Sequence, residues 1–596
     1  MEANYIMKYK NEITKFIEEK KDEMLRDIGR LVAINSERGI ASVGKPYGEG
    51  PYKALMEAMA IAESFGFDTK NYDNYVGCAD MNNKEKGLDI LAHMDVVPAG
   101  DNWTVTEPFK MVEQEGKIYG RGTADDKGPA IAALYAMRTI KELKIPLRKN
   151  VRLILGTDEE CGSSDIDYYY SVEEEAPATF SPDAEFPIIN IEKGRLASNF
   201  IADLTEDTLL QWDNSPKLKL FKAGVKSNVV PNLAKAVIEL EKDSKCLIDI
   251  EKLVDKVSKD TGIKFEVIHN INANSIEKET LENIREYNEE SENNKSNEED
   301  DKEIKGNENI NKDTENHKDT EKYKNIENYK DNENYKDKKN QKDKDNKNDI
   351  KNEKYIEDNK EISYEKKMYY NKNIEYNKYT KKSHTIIEIH AFGENAHAAM
   401  PETGNNAITG LLKLLAQLPL AETKGFKCIK GLSSLFPHGD ILGDGLGIKM
   451  KDELSGELTI SLGILNIDEN MLEGNFDCRT PIMATDKNVK EVIAKNMKKY
   501  DLKLDETPMI QPHYVPKETV FIQTLLRCYE EYTSLKGECL AIGGGTYVHN
   551  LKNGVAFGCA MPGTDNRMHG PDEFAVIEEL LVSAKIFAQV IVELCG

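Results

Sequence analysis

Residues 87–100, GLDILAHMDVVPAG, constrain what this chain can fold into more than any other stretch. Leu88 to Leu91 is a short apolar run, the signature of a strand buried on both faces. Side chains alternate along a strand, so His93 and Asp95 leave its end on the same side. A neutral imidazole in such a place can bind a metal, and a carboxylate on its other ring nitrogen fixes the tautomer. On spacing alone a polar loop residue is the commoner reading. The downstream residues have to decide.

They repeat the pattern. GTADDKG (122–128) leads into a helical stretch, AIAALYAMRTIKELK, and VRLILG (151–156) is a second buried strand that ends in TDEECGSSD, with Glu159 and Glu160 at its terminus. PATFSPDAEFPIINIEKG places Asp183 in a proline-bounded turn beside a further short strand, Ile188 to Ile191. Helical spacing over residues 5–34 and 51–67 supplies scaffold helices. Strands alternating with helices predict an α/β layer architecture, in which ligands bind beyond the carboxyl ends of the strands.

From about residue 195 the character changes to alternating strands (KLKLF, AKAVIEL, KFEVI) around a helix, EKLVDKVSKDTG. Composition then collapses over roughly 275–383 into Asn, Lys, Glu, Asp and Tyr, with a six-residue repeat from 315 to 338 (ENHKDT, EKYKNI, ENYKDN, ENYKDK). Too little apolar area is available there to offset chain entropy, so this segment is expected to be a disordered insertion. Acidic residues interleave with its lysines, which argues against single-stranded nucleic-acid binding. HTIIEIHAFG (384–393) resumes as a strand that would pair with KFEVI if the insertion is a loop between them. GELTISLGILNI and MLEGNFDCRTP follow as strands, and VKEVIAKNMKKY as a helix. TVFIQTLLRCYEEYTS is a helix, AIGGGTYVHN a glycine-rich loop, and MPGTDNRMHGPDEF carries His569 into the last helix.

Charge and composition exclude several classes. The formal net charge is -25, from 105 acidic and 80 basic residues, which disfavours nucleic acid and anionic membranes as partners. Nine cysteines without a C-x-x-C pair suggest neither a disulfide framework nor a thiolate zinc site, and fit a reducing cytoplasm. The opening residues lack the apolar core of a secretory signal. In the terminal IEELLVSAKIFAQVIVELCG, Lys585, Gln589 and Glu593 fall at i, i+4 and i+8, which reads as a packed surface helix with one polar stripe rather than a membrane span.

His93, Asp95, Asp125, Glu159, Glu160, Asp183 and His569 thus all fall in loops, most of them directly after strands. Oxygen and imidazole donors without thiolate suit zinc, manganese or cobalt. Taken singly, Asp125 or Asp183 reads as a turn former. Together, LAHMDVVPAG, GRGTADDKGP, LGTDEECGSSD, SPDAEFPIINIEKG, AHAAMP, IGGGTYVHN and MHGPDE closely resemble the di-metal hydrolase family of aminoacylases, succinyl-diaminopimelate desuccinylases, glutamate carboxypeptidases and dipeptidases, and most of all its bacterial PepV-type (Xaa-His, carnosinase-like) dipeptidase branch.

The resemblance covers nearly the whole chain except the insertion. It implies an α/β protein of two domains: a zinc-peptidase-like catalytic domain, with a central sheet flanked by helices, formed by residues 1–194 and 511–596, and an inserted α+β lid domain, 195–510, that holds the insertion at about 275–383. It implies two divalent metals, zinc foremost and manganese or cobalt as alternatives, bridged by Asp125, whose peptide to Asp126 would be cis. One ion would also take His93 and Asp183, the other Glu160 and His569. Asp95 would orient His93. Glu159 would be the general base for a hydroxide bridging the ions, whose charge would balance the four positive charges of the metals against Asp125, Glu160 and Asp183. His397 of AHAAMP would stabilise the oxyanion. Asn228 and Arg479 match substrate-contacting lid residues, Arg479 gripping a carboxylate bidentately. The Gly543–Thr546 turn, with Gly545 and Thr546, would offer backbone N–H groups to the same anion, although a glycine run can be only a tight turn. The lid histidine in the same chain implies a monomer.

The expected activity is hydrolysis of unblocked dipeptides. The nearest alternative is a deacylase of N-acylated amino acids, of the desuccinylase or aminoacylase type, using the same metals with a different pocket. A peptide-binding module that has kept the fold, and an interaction scaffold centred on the insertion, are further readings. Every residue that catalysis would need is present, which weighs against the first of these.

Overall fold

A computed structural model describes residues 7–205, 215–241, 246–269 and 384–596. The expected insertion lies outside the described residues. Two sheets, each with its own core, organise the rest.

The first is a nine-stranded sheet among the described residues. Its path runs Asp68–Tyr72, Val76–Asp80, Asn150–Gly156, Lys86–His93, Thr179–Ser181, Gly554–Ala556, Ile188–Glu192, His513–Tyr514, with Cys539–Ile542 also pairing with Ile188–Glu192. Its centre is parallel: Lys86–His93 lies between Asn150–Gly156 and Thr179–Ser181, and Gly554–Ala556 runs alongside the latter. The two apolar runs picked out by sequence are these central strands, buried along almost their whole length. Period-two alternation divides their side chains between two layers. Ile90, Ala92, Leu153 and Leu155 face the larger core, with helices Lys127–Glu142 and Ile577–Cys595. Leu91 and Ile154 face a smaller layer with Ile166, Tyr169 and Tyr547.

Between the two central strands, Asp89 stands in register with Arg152. Arg152 donates from Nε and Nη2 to the two carboxylate oxygens, both at 2.7 Å. Asp89 is fully buried and also accepts the Ala176 N–H at 3.0 Å. A one-residue slip would turn every side chain of a strand to the other face. The pair therefore helps to bring the end of one strand, His93, beside the end of the next, Gly156.

The second sheet has eight described strands, all paired antiparallel, in the order Lys264–His269, His384–Phe392, Leu233–Glu241, Lys217–Ala223, Thr459–Ile467, Met471–Thr480, Gly194–Asp203, Lys503–Leu504. Lys264–His269 pairs with His384–Phe392, the pairing expected for strands on either side of an insertion. Helices Ala407–Leu415 and Lys424–Leu435 cover one face and fill a separate core. Only Lys193 separates the first-sheet strand Ile188–Glu192 from the second-sheet strand Gly194–Asp203.

The terminal helix departs from expectation. Lys585 and Gln589 are buried, and the helix lies inside the larger core rather than on the surface. Its polar stripe faces the N-terminal helices: Lys585 Nζ pairs with Glu18 at 3.1 Å, and Gln589 donates to the Lys8 carbonyl at 3.2 Å and to Glu593 at 2.9 Å. A polar stripe on a helix marks a solvated face only when no other element supplies partners. No helix among the described residues is long and apolar enough to cross a membrane.

Arg152→Met should lower stability by about 3–5 kcal/mol by leaving Asp89 buried and unpaired, and adding Asp89→Asn should recover part of it. Thermal melts of the three proteins check this. An unchanged midpoint in Arg152→Met would remove the pair from the account of strand register.

Candidate metal centre

Five loops meet where the parallel strands end. His93 closes the strand Lys86–His93, Glu159 and Glu160 follow Asn150–Gly156, and Asp183 follows Thr179–Ser181. Asp125 lies just ahead of helix Lys127–Glu142, and its peptide to Asp126 is cis. His569 comes from the far end of the chain in a loop where Arg567, His569 and Asp572 all have positive φ.

Asp125 is at the centre. Its Oδ1 lies 3.0 Å from His93 Nε2, and its Oδ2 lies 2.9 Å from His569 Nε2. The same His93 nitrogen is 3.5 Å from Asp183 Oδ2, and the same His569 nitrogen is 3.5 Å from Glu160 Oε2. Two trios of donors, His93 with Asp183 and His569 with Glu160, therefore share one carboxylate. Glu159 also has a carboxylate oxygen within 4.8 Å of ligand atoms of His93 and Asp183.

The neighbours that hold this cluster were only partly legible in the sequence. His93 Nδ1 lies 3.0 Å from the Asp95 backbone carbonyl and 3.5 Å from its carboxylate, so Nδ1 carries the proton and Nε2 is left as a donor of electrons. The Asp95 carboxylate also accepts the N–H groups of Glu159 and Glu160, at 3.2 and 3.1 Å, and so braces the next loop as well. Sequence reading missed Tyr547 and Asp165. Tyr547 packs edge-on against His93 with ring centres 6.0 Å apart and donates to Asp165 at 2.6 Å. Asp165 in turn accepts the Thr157 and Asp158 N–H groups, bracing the loop before Glu159. Asp572 and Glu573 were also missed, although they lie inside the MHGPDE motif.

The other expected residues come from a small ribbon, from the second sheet and from the glycine-rich turn after Cys539–Ile542. Val229–Val230 and Ala396–His397 form a two-stranded ribbon in which Val229 faces His397, and the Asn228 carbonyl accepts the Ala398 N–H at 2.9 Å. His397 Nδ1 accepts the Ala399 N–H at 3.1 Å. Arg479 is buried. Its Nε and Nη2 bond to Asp477 at 2.6 and 3.1 Å, and its Nη1 bonds to the Gly543 carbonyl. Asp477 was not singled out by sequence, yet it also holds Arg195 at 2.8 Å. In the glycine-rich turn, the Thr546 N–H and hydroxyl both go to buried Glu192, and Gly545 lies over Glu192 and His549.

Comparison with known proteins decides the family. A model of the peptidase family M20/M25/M40 matches residues 90–593. The chain belongs to this family. The beta-Ala-Xaa dipeptidase of Lactobacillus delbrueckii subsp. lactis is 30% identical to this M20/M25/M40 peptidase, over 97% of each chain. The YtjP protein of Bacillus subtilis is 29% identical over 96% of this chain and 98% of its own. The crystal structure of human carnosine dipeptidase 1 aligns with 98% of this chain and 99% of its own, at 13% identity and a TM-score of 0.48.

M20/M25/M40 peptidases are two-metal enzymes, and the residues of this metallopeptidase fit such a centre. Its donors are carboxylate oxygens and imidazole nitrogens, as zinc, manganese and cobalt prefer. His93 Nε2, Asp125 Oδ1 and Glu160 Oε1 are buried without a hydrogen-bond partner among the described residues, and an unmet buried polar atom costs about 1–3 kcal/mol. A cation would satisfy all three.

The charges agree. Burial pushes the Glu159 carboxyl well above the usual carboxylate range, with Asp183, Asp125 and Glu160 adding to the shift. Asp183 is pushed up to about 6 by burial and by Asp125. His569 is raised to about 11 by its bonds to Asp125 and Glu160. These anions are crowded beyond what two histidines neutralise.

Below the glycine-rich turn, burial works against a charged His549, but Glu192 Oε2 at 2.9 Å outweighs it and holds the imidazole above its ordinary value. The contribution of this pair to stability is fully present below about pH 6.5 and fades as pH rises through the raised folded value. His549→Asn should therefore melt below wild type at pH 6, with the gap narrowing towards pH 9. A gap that widens with pH would show that Glu192 is not its partner.

Proposed function

We propose that this metallopeptidase is a dipeptidase that hydrolyses unblocked dipeptides. The observation that carries the reading is the 30% identity with a beta-Ala-Xaa dipeptidase over 97% of each chain, and the metal centre rests on the division of the Asp125 carboxylate between two histidines, each with its own acidic partner. In this reading His93 and Asp183 hold one metal, Glu160 and His569 the other, and Asp125 bridges them. Zinc is the leading choice, with manganese and cobalt as alternatives. Two ions bound there would lower the pKa of a water and polarise the scissile carbonyl. Glu159 is the general base: it takes the proton of the attacking water and hands it to the leaving amine.

His397 stabilises the oxyanion. Because the Ala399 N–H donates to Nδ1, the ring proton sits on Nε2, which is then a donor. Burial and the Arg479 charge hold the His397 pKa below its ordinary value, so the imidazole is neutral at pH 7. With His397 supplied by the same chain as the metal-binding loops, the reading is of a monomer.

Arg479 binds the dipeptide's C-terminal carboxylate. Nε, Nη1 and Nη2 each make one bond inside the protein, which leaves two of the five guanidinium N–H groups for substrate. Asn228 and Gly545 remain the further substrate contacts of this reading, whereas the Thr546 N–H and hydroxyl are both taken by Glu192, so Thr546 holds the turn and does not offer its N–H to the anion. Residues 1–194 and 511–596 form the catalytic domain and 195–510 the lid. The eight described cysteines are all free, which suits a cytoplasmic setting.

The test is hydrolysis of Ala-Ala and β-Ala-His by chelated protein titrated separately with zinc, manganese and cobalt. Activity should return as about two ions bind, and Glu159→Ala should be inactive with normal metal uptake. His397→Ala should lower kcat about 10²–10³-fold with metal uptake unchanged. Turnover of N-acetyl or N-succinyl amino acids alone would replace the dipeptidase reading with the deacylase one.

A further inference from the structure

Asp125 and His569 lie 444 residues apart in the chain, yet their side chains meet at 2.9 Å. Neither belongs to a regular element that could set this distance by itself. What lies between their loops is a buried ion pair, Glu573 with Arg121, that touches neither histidine.

Glu573 is fully buried four residues after His569. Its Oε1 accepts three backbone N–H groups of one turn, from Gly122 at 3.0 Å, Ala124 at 2.9 Å and Asp125 itself at 3.3 Å. Its Oε2 accepts from Arg121 Nη1, and its backbone carbonyl accepts the Gly120 N–H at 3.0 Å. Arg121 is equally buried. Its Nη2 reaches the Gly570 carbonyl, next to His569, at 3.2 Å, and the Pro98 and Ala99 carbonyls at 3.4 Å. The pair thus ties together the loop after His93, the turn before Asp125 and the loop of His569.

The turn it grips has little slack. Gly122 sits at φ +88, and a Cβ there would meet the Lys127 side chain at 2.8 Å. Next to Glu573, Asp572 accepts the Thr104 and Val105 N–H groups at 2.8 and 2.9 Å, which secures the outer side of the His569 loop. A carboxylate is well suited to this place: one oxygen can take three converging N–H groups while the other takes a guanidinium.

We propose that Glu573 and Arg121 are positioning residues for the two-metal centre. They set the spacing between Asp125 and His569, and so the affinity of the position formed by Asp125, Glu160 and His569, without touching metal or substrate. The inference rests on the ligand set proposed above. In Glu573→Gln the amide nitrogen faces Arg121 donor to donor, so the pair must open. In the double variant Glu573→Gln/Arg121→Gln neither residue is charged, so no guanidinium is left buried without its carboxylate.

The experiment is cobalt(II) titration of the chelated full-length chain, followed by calorimetry and the visible absorption of the bound ion, for wild type, Glu573→Gln, Arg121→Gln, the double variant and Glu573→Asp. Wild type should bind two ions. Glu573→Gln should bind the first as wild type does and the second about 10–100-fold more weakly, the range for partners of metal ligands. Dipeptidase kcat should fall in parallel at limiting metal and return at saturating metal with KM unchanged. The double variant should bind the second ion more tightly than Glu573→Gln. Glu573→Asp keeps the charge and folds if Glu573→Gln does not, and it should show an intermediate loss.

Equal affinity for both ions in wild type and in Glu573→Gln, or in Glu573→Asp where Glu573→Gln does not fold, would overturn the proposal. So would a double variant whose loss is the product of the two single losses. Absence of a second ion from wild type would instead sink the ligand set on which the proposal stands.

Discussion

The structure depends on a concentration of negative charge that the protein cannot neutralise by itself. Asp125, Glu159, Glu160 and Asp183 converge on two imidazoles where the parallel strands end, and Asp125 Oδ1, Glu160 Oε1 and His93 Nε2 are buried without a hydrogen-bond partner among the described residues. Bringing like charges together in a poorly solvated place is unfavourable. The surroundings therefore have to hold the groups in place until cations arrive. Much of the buried polar architecture does this: Asp95 under the Glu159–Glu160 backbone, Asp165 and Tyr547 behind His93, and Glu573 under the Asp125 turn.

The parallel sheet makes the concentration feasible. Adjacent parallel strands end at one edge, so residues tens of positions apart in sequence come level once register is set. Asp89 and Arg152 show how that register is held by polar groups in an otherwise apolar layer. The antiparallel sheet, joined to the first through Lys193, carries Arg479 to the Gly543 carbonyl of the glycine-rich turn, and Ala399, two residues after His397, packs against the same glycine.

How much of this was legible in the chain depended on what each signal was. The α/β class, the two buried strands and the pairing of Lys264–His269 with His384–Phe392 follow from local apolar patterns, and the structure has them. The chemically loaded loops were visible because His, Asp and Glu cluster after strands. Their supporting carboxylates were not, because Glu573, Asp477 and Asp165 look in sequence like any surface acid; burial and long-range partners give them meaning. The terminal helix failed for the same reason in reverse. Its Lys585 and Gln589 looked solvated, and only the N-terminal helices packed against them show otherwise.

The distance in sequence between the two trios also orders the birth of the molecule. Domains fold from the N-terminus as synthesis proceeds, at about 5–20 residues per second. His93, Asp125 and Asp183 have emerged long before His569, with an interval of roughly 20 to 80 s at that rate. Over that time the nascent chain lacks both the strand Gly554–Ala556, which lies between Thr179–Ser181 and Ile188–Glu192 in the sheet, and the helix Ile577–Cys595 that fills its core. Until then the chain holds His93, Asp125 and Asp183 on an open sheet, without the histidine that Asp125 meets in the folded protein. The strand Gly554–Ala556, His569 and the helix Ile577–Cys595 arrive close together, so closing the sheet and bringing His569 to Asp125 belong to one late step of folding.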